Sequence, residues 1–339
     1  MSQKTKASGG NSQSKLAIRR LFTDYSYLVS FVLILIIAWA VNRNFFAWRN
    51  ITTIFRQSAT TTGMIALGMT MVICAGQIDI SVGAQVAILS GFGIQILNAT
   101  GSMWIMLLFC LTGGALIGAF NGVLVAYGKM PAMIATLAMQ TSCRAVINHF
   151  GQGGPFAVAN GISTEPYYES FRQVANGSFN LFGNKIPYPM IIFILVALLF
   201  GFIMRSTKLG KHIYAVGSNE LSARLDGVRV NLVKVEAFAI TGLLCGFTSW
   251  LYSSSVMAVA AASAGNGFEM DAIAAVAIGG TSMSGGRGKI IGTFLGVLIF
   301  KIINNTLVAA KVPTFLTGAF SGAIIIIAVL LQNVRRTGR

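Results

Sequence analysis

SATTTGMIALGMTMVICAGQIDISVGAQVAILSGFGIQILN, residues 58–98, holds two apolar runs, 58–75 and 82–98, with no charged residue in either. Between them lies a short turn carrying one carboxylate, Asp79. A straight membrane span needs about 20 consecutive, mainly apolar residues, so each run is a candidate crossing and the turn brings the chain back. The same pattern extends in both directions, with further apolar runs near 28–41, 103–126, 131–147, 188–204, 235–261, 271–283, 290–306 and 313–331. The composition agrees: 55% of the 339 residues are hydrophobic and 10% charged, where a soluble domain carries about a quarter charged. The fold expected is all-α, a polytopic transmembrane helical bundle of about ten spans. Short, glycine-interrupted runs such as 271–283 are expected to enter the membrane only part-way, as backbone buried in protein or lining a polar cavity can do.

The net charge of +16 does not point to nucleic acid, because the basic residues cluster at the ends of apolar runs rather than on one soluble face. With the N-terminus inside and ten spans, 17 Lys/Arg fall in cytoplasmic segments and 6 in outer ones, the asymmetry of the positive-inside rule. Arg43, Arg49 and Arg56 are exceptions on the outer side. This divides the chain into a cytoplasmic tail (1–27), a permease domain (28–331) and a cytoplasmic C-terminal tail (332–339). Two long hydrophilic stretches interrupt the domain: 148–187, outside, with Pro155, Pro166, Pro187 and EPYYES, and 205–234, inside. The start of the chain, basic residues then an apolar run and Ala38–Ala40, resembles a secretory signal. The long polar leader and the many later apolar runs make it a first membrane anchor instead.

Several motifs carry two readings. GGTSMSGGRGK (279–289) has Met283 where a P-loop requires glycine, and Ile290 where it requires Ser or Thr, so ATP hydrolysis by that chemistry is excluded and a tight turn is expected. Asp79 is either a functional carboxylate at membrane depth or a cap for the helix starting near Ser81; a proton relay would lack an evident cationic or histidine partner. Gly114–Gly118–Gly122, Gly242–Gly246, Gly288–Gly292–Gly296 and Gly318–Gly322 have the spacing for close helix packing, which contacts within one subunit suffice to explain. Gln85, Gln95, Thr136, Gln140, Asn304 and Asn305 lie inside apolar runs, able to bind a hydroxylated solute or to bond neighbouring helices. Cys74, Cys110, Cys143 and Cys245 show no ligand or disulfide spacing and are read as packing residues. No catalytic pair, metal site or cofactor motif is present. In VGSNELSARLDGVRV (216–230), Asn219 fits an N-cap, LSARLDG a short helix and Gly227 its stop. Glu220 and Arg224 sit at i,i+4 in the favourable order. This helix is either solvated or shaped to dock in a partner's groove.

Four stretches, in order and spanning almost the whole chain, carry a family resemblance. They are GMTMVICAGQIDISVGA (68–84), PAMIATLAMQTSCRAV (131–146), KLGKHIYAVGSNELSARLDGVRVNLVKV (208–235) and FEMDAIAAVAIGGTSMSGGRGKIIGTFLGVLI (268–299). The chain resembles the permease subunit of ribose-type monosaccharide ABC importers, in the bacterial inner-membrane branched-chain amino acid and sugar permease family. Gln77, Ile80, Ser218 and Leu221-Ser222 depart from that family's pattern. The resemblance implies a multi-pass inner-membrane subunit that is not an enzyme. It would work with ABC ATPase subunits, a substrate-binding protein, and a second permease copy or paralogue. It implies that Gly217, Asn219, Glu220, Ala223, Arg224 and Gly227 meet the ATPase as a coupling segment, and that 148–187 helps receive the binding protein. Asp79, Ser81, Gln140, Asp271 and Asn304 are candidates for the translocation path or its gate. The alternatives are a secondary transporter coupled through Asp79, and an ABC permease for another small hydroxylated solute such as a signalling molecule.

Overall fold

The computed structural model describes residues 26–152, 154–181 and 183–313, with isolated positions between 316 and 326. Helices cover the apolar runs: α1 (Ser26–Val41), α3 (Gly63–Cys74), α4 (Val82–Thr100), α5 (Met103–Ala126), α6 (Ala132–Gly151), α8 (Tyr188–Ser206), α11 (Val230–Val256), α12 (Phe268–Ile278) and α13 (Ile290–Ala309). Between them lie α2 (Trp48–Thr60), α7 (Pro166–Asn176), α9 (Lys208–Ser218) and α10 (Glu220–Leu225). Strand β1 (Pro155–Ala157) pairs antiparallel with β4 (Ala258–Ala260), and β2 (Ser178–Leu181) with β3 (Asn184–Pro187). Among the described residues five helices, α4, α5, α8, α11 and α13, are long and apolar enough to cross a membrane. More than half of the run 313–331, the whole tail 332–339 and residues 1–25 lie outside the described residues.

The run 58–75 is not one span. The helix breaks at Thr61–Thr62, giving α2 and the 12-residue α3. The hydroxyls of Ser58, Thr60 and Thr61 each donate to the carbonyl four residues back, a habit that bends helices. At Gly63 a side chain would collide with the Ser58 carbonyl and the Phe193 ring. Residues 42–57, expected as an outer loop, are largely helix α2. The run 235–261 also ends early: Met257 takes a left-handed φ of 58°, and the chain leaves α11 as strand β4. It then descends beside α4 without helical structure until Gly267, where α12 begins. At 11 residues, α12 spans about 16 Å, half of a hydrocarbon core about 30 Å thick.

Small residues allow the closest approaches. A methyl on Gly114 would overlap the Gly242 carbonyl, one on Gly118 the Phe238 carbonyl, and one on Gly246 the Cys110 carbonyl, so α5 and α11 lie backbone against backbone. Gly292 and Gly296 bring α13 equally close to Gly279 and Ala275. The outward faces are apolar instead: Leu108, Leu116 and Phe120 on α5, and Leu195, Leu198 and Phe202 on α8, are all exposed. Large hydrophobics thus face outward as well as inward, and glycines make the closest inner contacts, as lipid allows, because burying leucine against leucine gains little when the solvent is itself hydrocarbon.

Candidate functional site

One end of the bundle is a platform built from α9 and α10. Thr207 caps α9 by accepting from the Gly210 amide at 3.3 Å. Asn219 Oδ1 then accepts from the Ser222 amide at 3.0 Å and starts α10, as the sequence pattern predicts. Gly227, at φ 80°, ends the turn after it. Ala223 is buried beneath α10, while Leu221 and Leu225, one turn apart, point outward at 68% and 80% exposure. Glu220 pairs with Arg224 at 3.6 Å. Its tighter partner is Lys234 on α11, at 2.8 Å, a contact that sequence spacing could not reveal because Lys234 lies fourteen residues on, beyond a turn.

The platform is locked to the membrane helices at Gly217. A methyl there would overlap the Cys74 carbonyl at the end of α3 and approach the Gly286 amide to 2.7 Å. Gly286, at φ 72°, donates its amide to the same Cys74 carbonyl at 3.0 Å. Tyr214 donates its hydroxyl to the Gly288 carbonyl at 2.8 Å. Burial pushes the Tyr214 hydroxyl up to about 12, so it remains a donor throughout the physiological range. The glycine-rich stretch 279–289 is thus a turn wedged between α3 and α9, and movement of α9–α10 bears directly on both.

Asp79 does not sit on a surface turn as expected. Gly76 is exposed beside Gly217, but the chain then doubles back into the bundle, and Asp79 and Ser81 are fully enclosed. The inward course holds because its polar groups are partnered there. Asp79 Oδ1 accepts from the Ser81 amide at 2.9 Å and its hydroxyl at 2.6 Å. Gln85 Nε2 and Asn121 Nδ2 both donate to Ser81 Oγ, at 2.8 and 2.9 Å. The Ile80 amide donates to Thr136 Oγ1 at 3.2 Å. Asp79 therefore holds Ser81, the residue just before α4, without capping a helix amide, inside a network that includes Asn121, which sequence reasoning passed over.

Thr136, Gln140 and Arg144 recur every four residues and form one stripe on α6. Gln140 reaches Glu269 at 3.5 Å and Arg144 the Ala261 carbonyl at 3.5 Å. Asp79, Ser81 and Gln140 thus face one region of the interior. Asp271 feels first the charge of Lys301 on α13 and then that of Glu269, and Asn304 lies one turn beyond Lys301 on α13. Gln95 is exposed, and Asn305 bonds Asn50 at 3.0 Å. Glu269 and Arg144 were not singled out by sequence reading, although a charge within or next to an apolar run was the available signal.

At the end of the bundle opposite the platform, segment 148–187 is folded rather than a loop. Ser254 Oγ near the end of α11 donates to the Phe171 carbonyl and accepts from the Ala175 amide, which fixes α7. Arg56 donates to Asn176 at 3.2 Å and Trp48 to the Lys185 carbonyl at 2.9 Å, and Arg43 stacks on Trp39. Arg43 and Arg56, two of the charges that contradict the positive-inside count, are engaged locally.

A family model described as branched-chain amino acid transport system permease component matches residues 50–329. The chain is similar to the ribose import permease RbsC of Haemophilus influenzae, 32% identical over 323 residues covering 95% of this chain and 97% of the relative. It is similar to the RbsC of Bacillus subtilis, 37% identical over 311 residues with 91% of each covered. It is also similar to the fructose import permease FruF of Bifidobacterium longum, 31% identical over 342 residues, 98% of this chain and 93% of the relative. No solved structure matches.

Proposed function

Because the chain belongs to the family of branched-chain amino acid transport system permease components, we propose that it is the membrane permease subunit of an ATP-binding cassette importer in the bacterial inner membrane. It carries a monosaccharide of ribose type that a binding protein delivers, and separate ATPase subunits drive it. The platform end faces the cytoplasm, both termini lie there, and segment 148–187 faces outward to receive the binding protein. Two permease copies, or this chain and a paralogue, enclose the path.

The observation that carries the coupling role is the form of α10. It is a short helix held rigidly on its inner face by Glu220–Lys234 and by buried Ala223, with Leu221 and Leu225 unpartnered on its outer face. An apolar pair on a rigid helix suits insertion into a groove, and the contact of Gly217 with the end of α3 passes any displacement inward. Asp79 favours this reading over ion coupling, because its bonds are local and no basic side chain pairs with it among the described residues.

The test is co-purification in detergent with the ATPase of the same transport system. Wild type retains the ATPase, whereas Leu221→Asp/Leu225→Asp loses it with an unchanged melting temperature, because both side chains are already exposed. If folded wild type retains no ATPase, the ion-coupled transporter takes over as the reading. If the double variant retains it, α10 is not the docking helix.

A further inference from the structure

A second polar cluster lies where α6 faces the descending segment 258–267 and the first turn of α12. Glu269 is only 8% exposed. Its Oε2 is buried with no hydrogen-bond partner; the carboxylate lies against the backbone amides of Gly267 and Glu269 at the start of α12, and the one side chain that reaches it, Gln140, does so by a long bond from Nε2 to Oε1, 3.5 Å. Arg144, one turn beyond Gln140 on the same stripe of α6, feels the charge of Glu269 and lies near Tyr252. Yet Arg144 and Glu269 form no ion pair, and the contact from guanidinium to the Ala261 carbonyl is also 3.5 Å. Tyr252 meets Phe268 edge to face at 5.8 Å. Gln140, Arg144, Tyr252 and Phe268 are all part-exposed, so the cluster can be approached.

Opposite charges held apart at membrane depth are costly unless something joins them, and a buried oxygen left unpaired adds to that cost. A group bridging this gap must donate to the Glu269 carboxylate while accepting from Arg144 and Gln140. Neighbouring hydroxyls on one ring do both, since each is donor and acceptor, and the ring's C–H face packs against aromatic rings. An ammonium offers nothing to Arg144, and an apolar solute satisfies neither charge.

We propose that Glu269, Gln140 and Arg144 form a hydroxyl-binding station for the sugar in transit, with Tyr252 and Phe268 as its apolar wall. Gly83 completes it: a methyl there would overlap Glu269 Oε2 and the Gly265 carbonyl, so the absent side chain leaves the carboxylate its room. This rests on the import of a hydroxylated sugar proposed above.

The experiment measures uptake of ribose, 2-deoxyribose and 5-deoxyribose into proteoliposomes holding the complete complex with its ATPase and binding protein. Wild type is compared with Glu269→Gln and with Gln140→Leu, the second substitution being at a part-exposed position where loss of folding is not expected. The same binding protein serves every variant, so its own preference cancels when ratios are compared. A hydrogen bond to a charged group is worth roughly tenfold or more. The preference for ribose over at least one deoxy sugar therefore falls about tenfold in Glu269→Gln and less in Gln140→Leu. A purely structural role would lower all three rates together and leave the ratios intact. Unchanged ratios in the variants that assemble would overturn the station while leaving the importer standing. Failure of wild type to take up any of the three would overturn the sugar-import reading and the station with it.

Discussion

Replacing Asp79 in two ways separates a tethering carboxylate from an ion-coupling one. Asparagine keeps an Oδ1 that accepts from the Ser81 amide and hydroxyl. The new amide faces Gln85, whose own Oε1 has no partner, so one side-chain flip supplies an acceptor. Alanine strands both Ser81 donors inside the bundle, at a cost of about 1–3 kcal/mol for each. Asp79→Asn is expected to retain ATP-driven uptake within a few-fold of wild type, while Asp79→Ala lowers the melting temperature of the purified subunit. Loss of uptake in a stably folded Asp79→Asn would instead make the charge itself essential and revive ion coupling. The carboxylate was legible in the sequence as unusual, but its partners were not. Ser81 lies two residues away and could be guessed; Asn121 lies forty residues beyond Ser81, to which it donates, and reaches the site only because α4 and α5 pack side by side.

Among the elements, legibility followed how far local sequence alone determines the backbone. The bounds of α5 can be read off directly, since Ser102 precedes an unbroken apolar run and Gly128 follows it. The break between α2 and α3 cannot, because TTTG reads as mild interruption until the Phe193 ring closes on Gly63. Likewise, repeated glycines suggest close packing without naming the partner. In the structure Gly114 and Gly242 face each other so closely that any side chain strikes backbone. Gly242→Ala is expected to destabilise by about 1–3 kcal/mol or more, since overpacking here cannot be relieved by a rotamer change. Gly201→Ala is the control: nothing lies near it, it sits inside α8, and alanine there is favoured by roughly 1 kcal/mol. Thermal unfolding of the two variants side by side should move in opposite directions. A Gly242→Ala protein as stable as wild type would mean that α5 and α11 can separate without penalty.

For the whole molecule, the two ends of the bundle differ in charge as well as shape. The start of α11 holds Lys234 against Glu220, and the region near its other end holds Ser254 against α7. Twenty helical residues separate them, about 30 Å, the thickness of a hydrocarbon core. Around the first end gather Arg205, Lys208, Lys211, Arg224, Arg229 and Lys234, with Arg287 and Lys289 on the wedged turn. Around the other lie Arg49, Arg172, Lys185 and Lys311 with the locally engaged Arg43 and Arg56. By the positive-inside rule this asymmetry supports the proposed orientation, with the platform on the cytoplasmic side where an ATPase would meet it. The native cysteines supply a quiet background for a direct test, because all four are buried. Ser163 on the outer segment and Asp226 after α10 are both exposed. In intact cells a membrane-impermeant maleimide should label Ser163→Cys, and should reach Asp226→Cys only after the membrane is opened. The opposite pattern would invert the protein in the membrane. It would place α10 where no cytoplasmic ATPase can touch it, and the coupling role of that helix would fall even if its fold were unchanged.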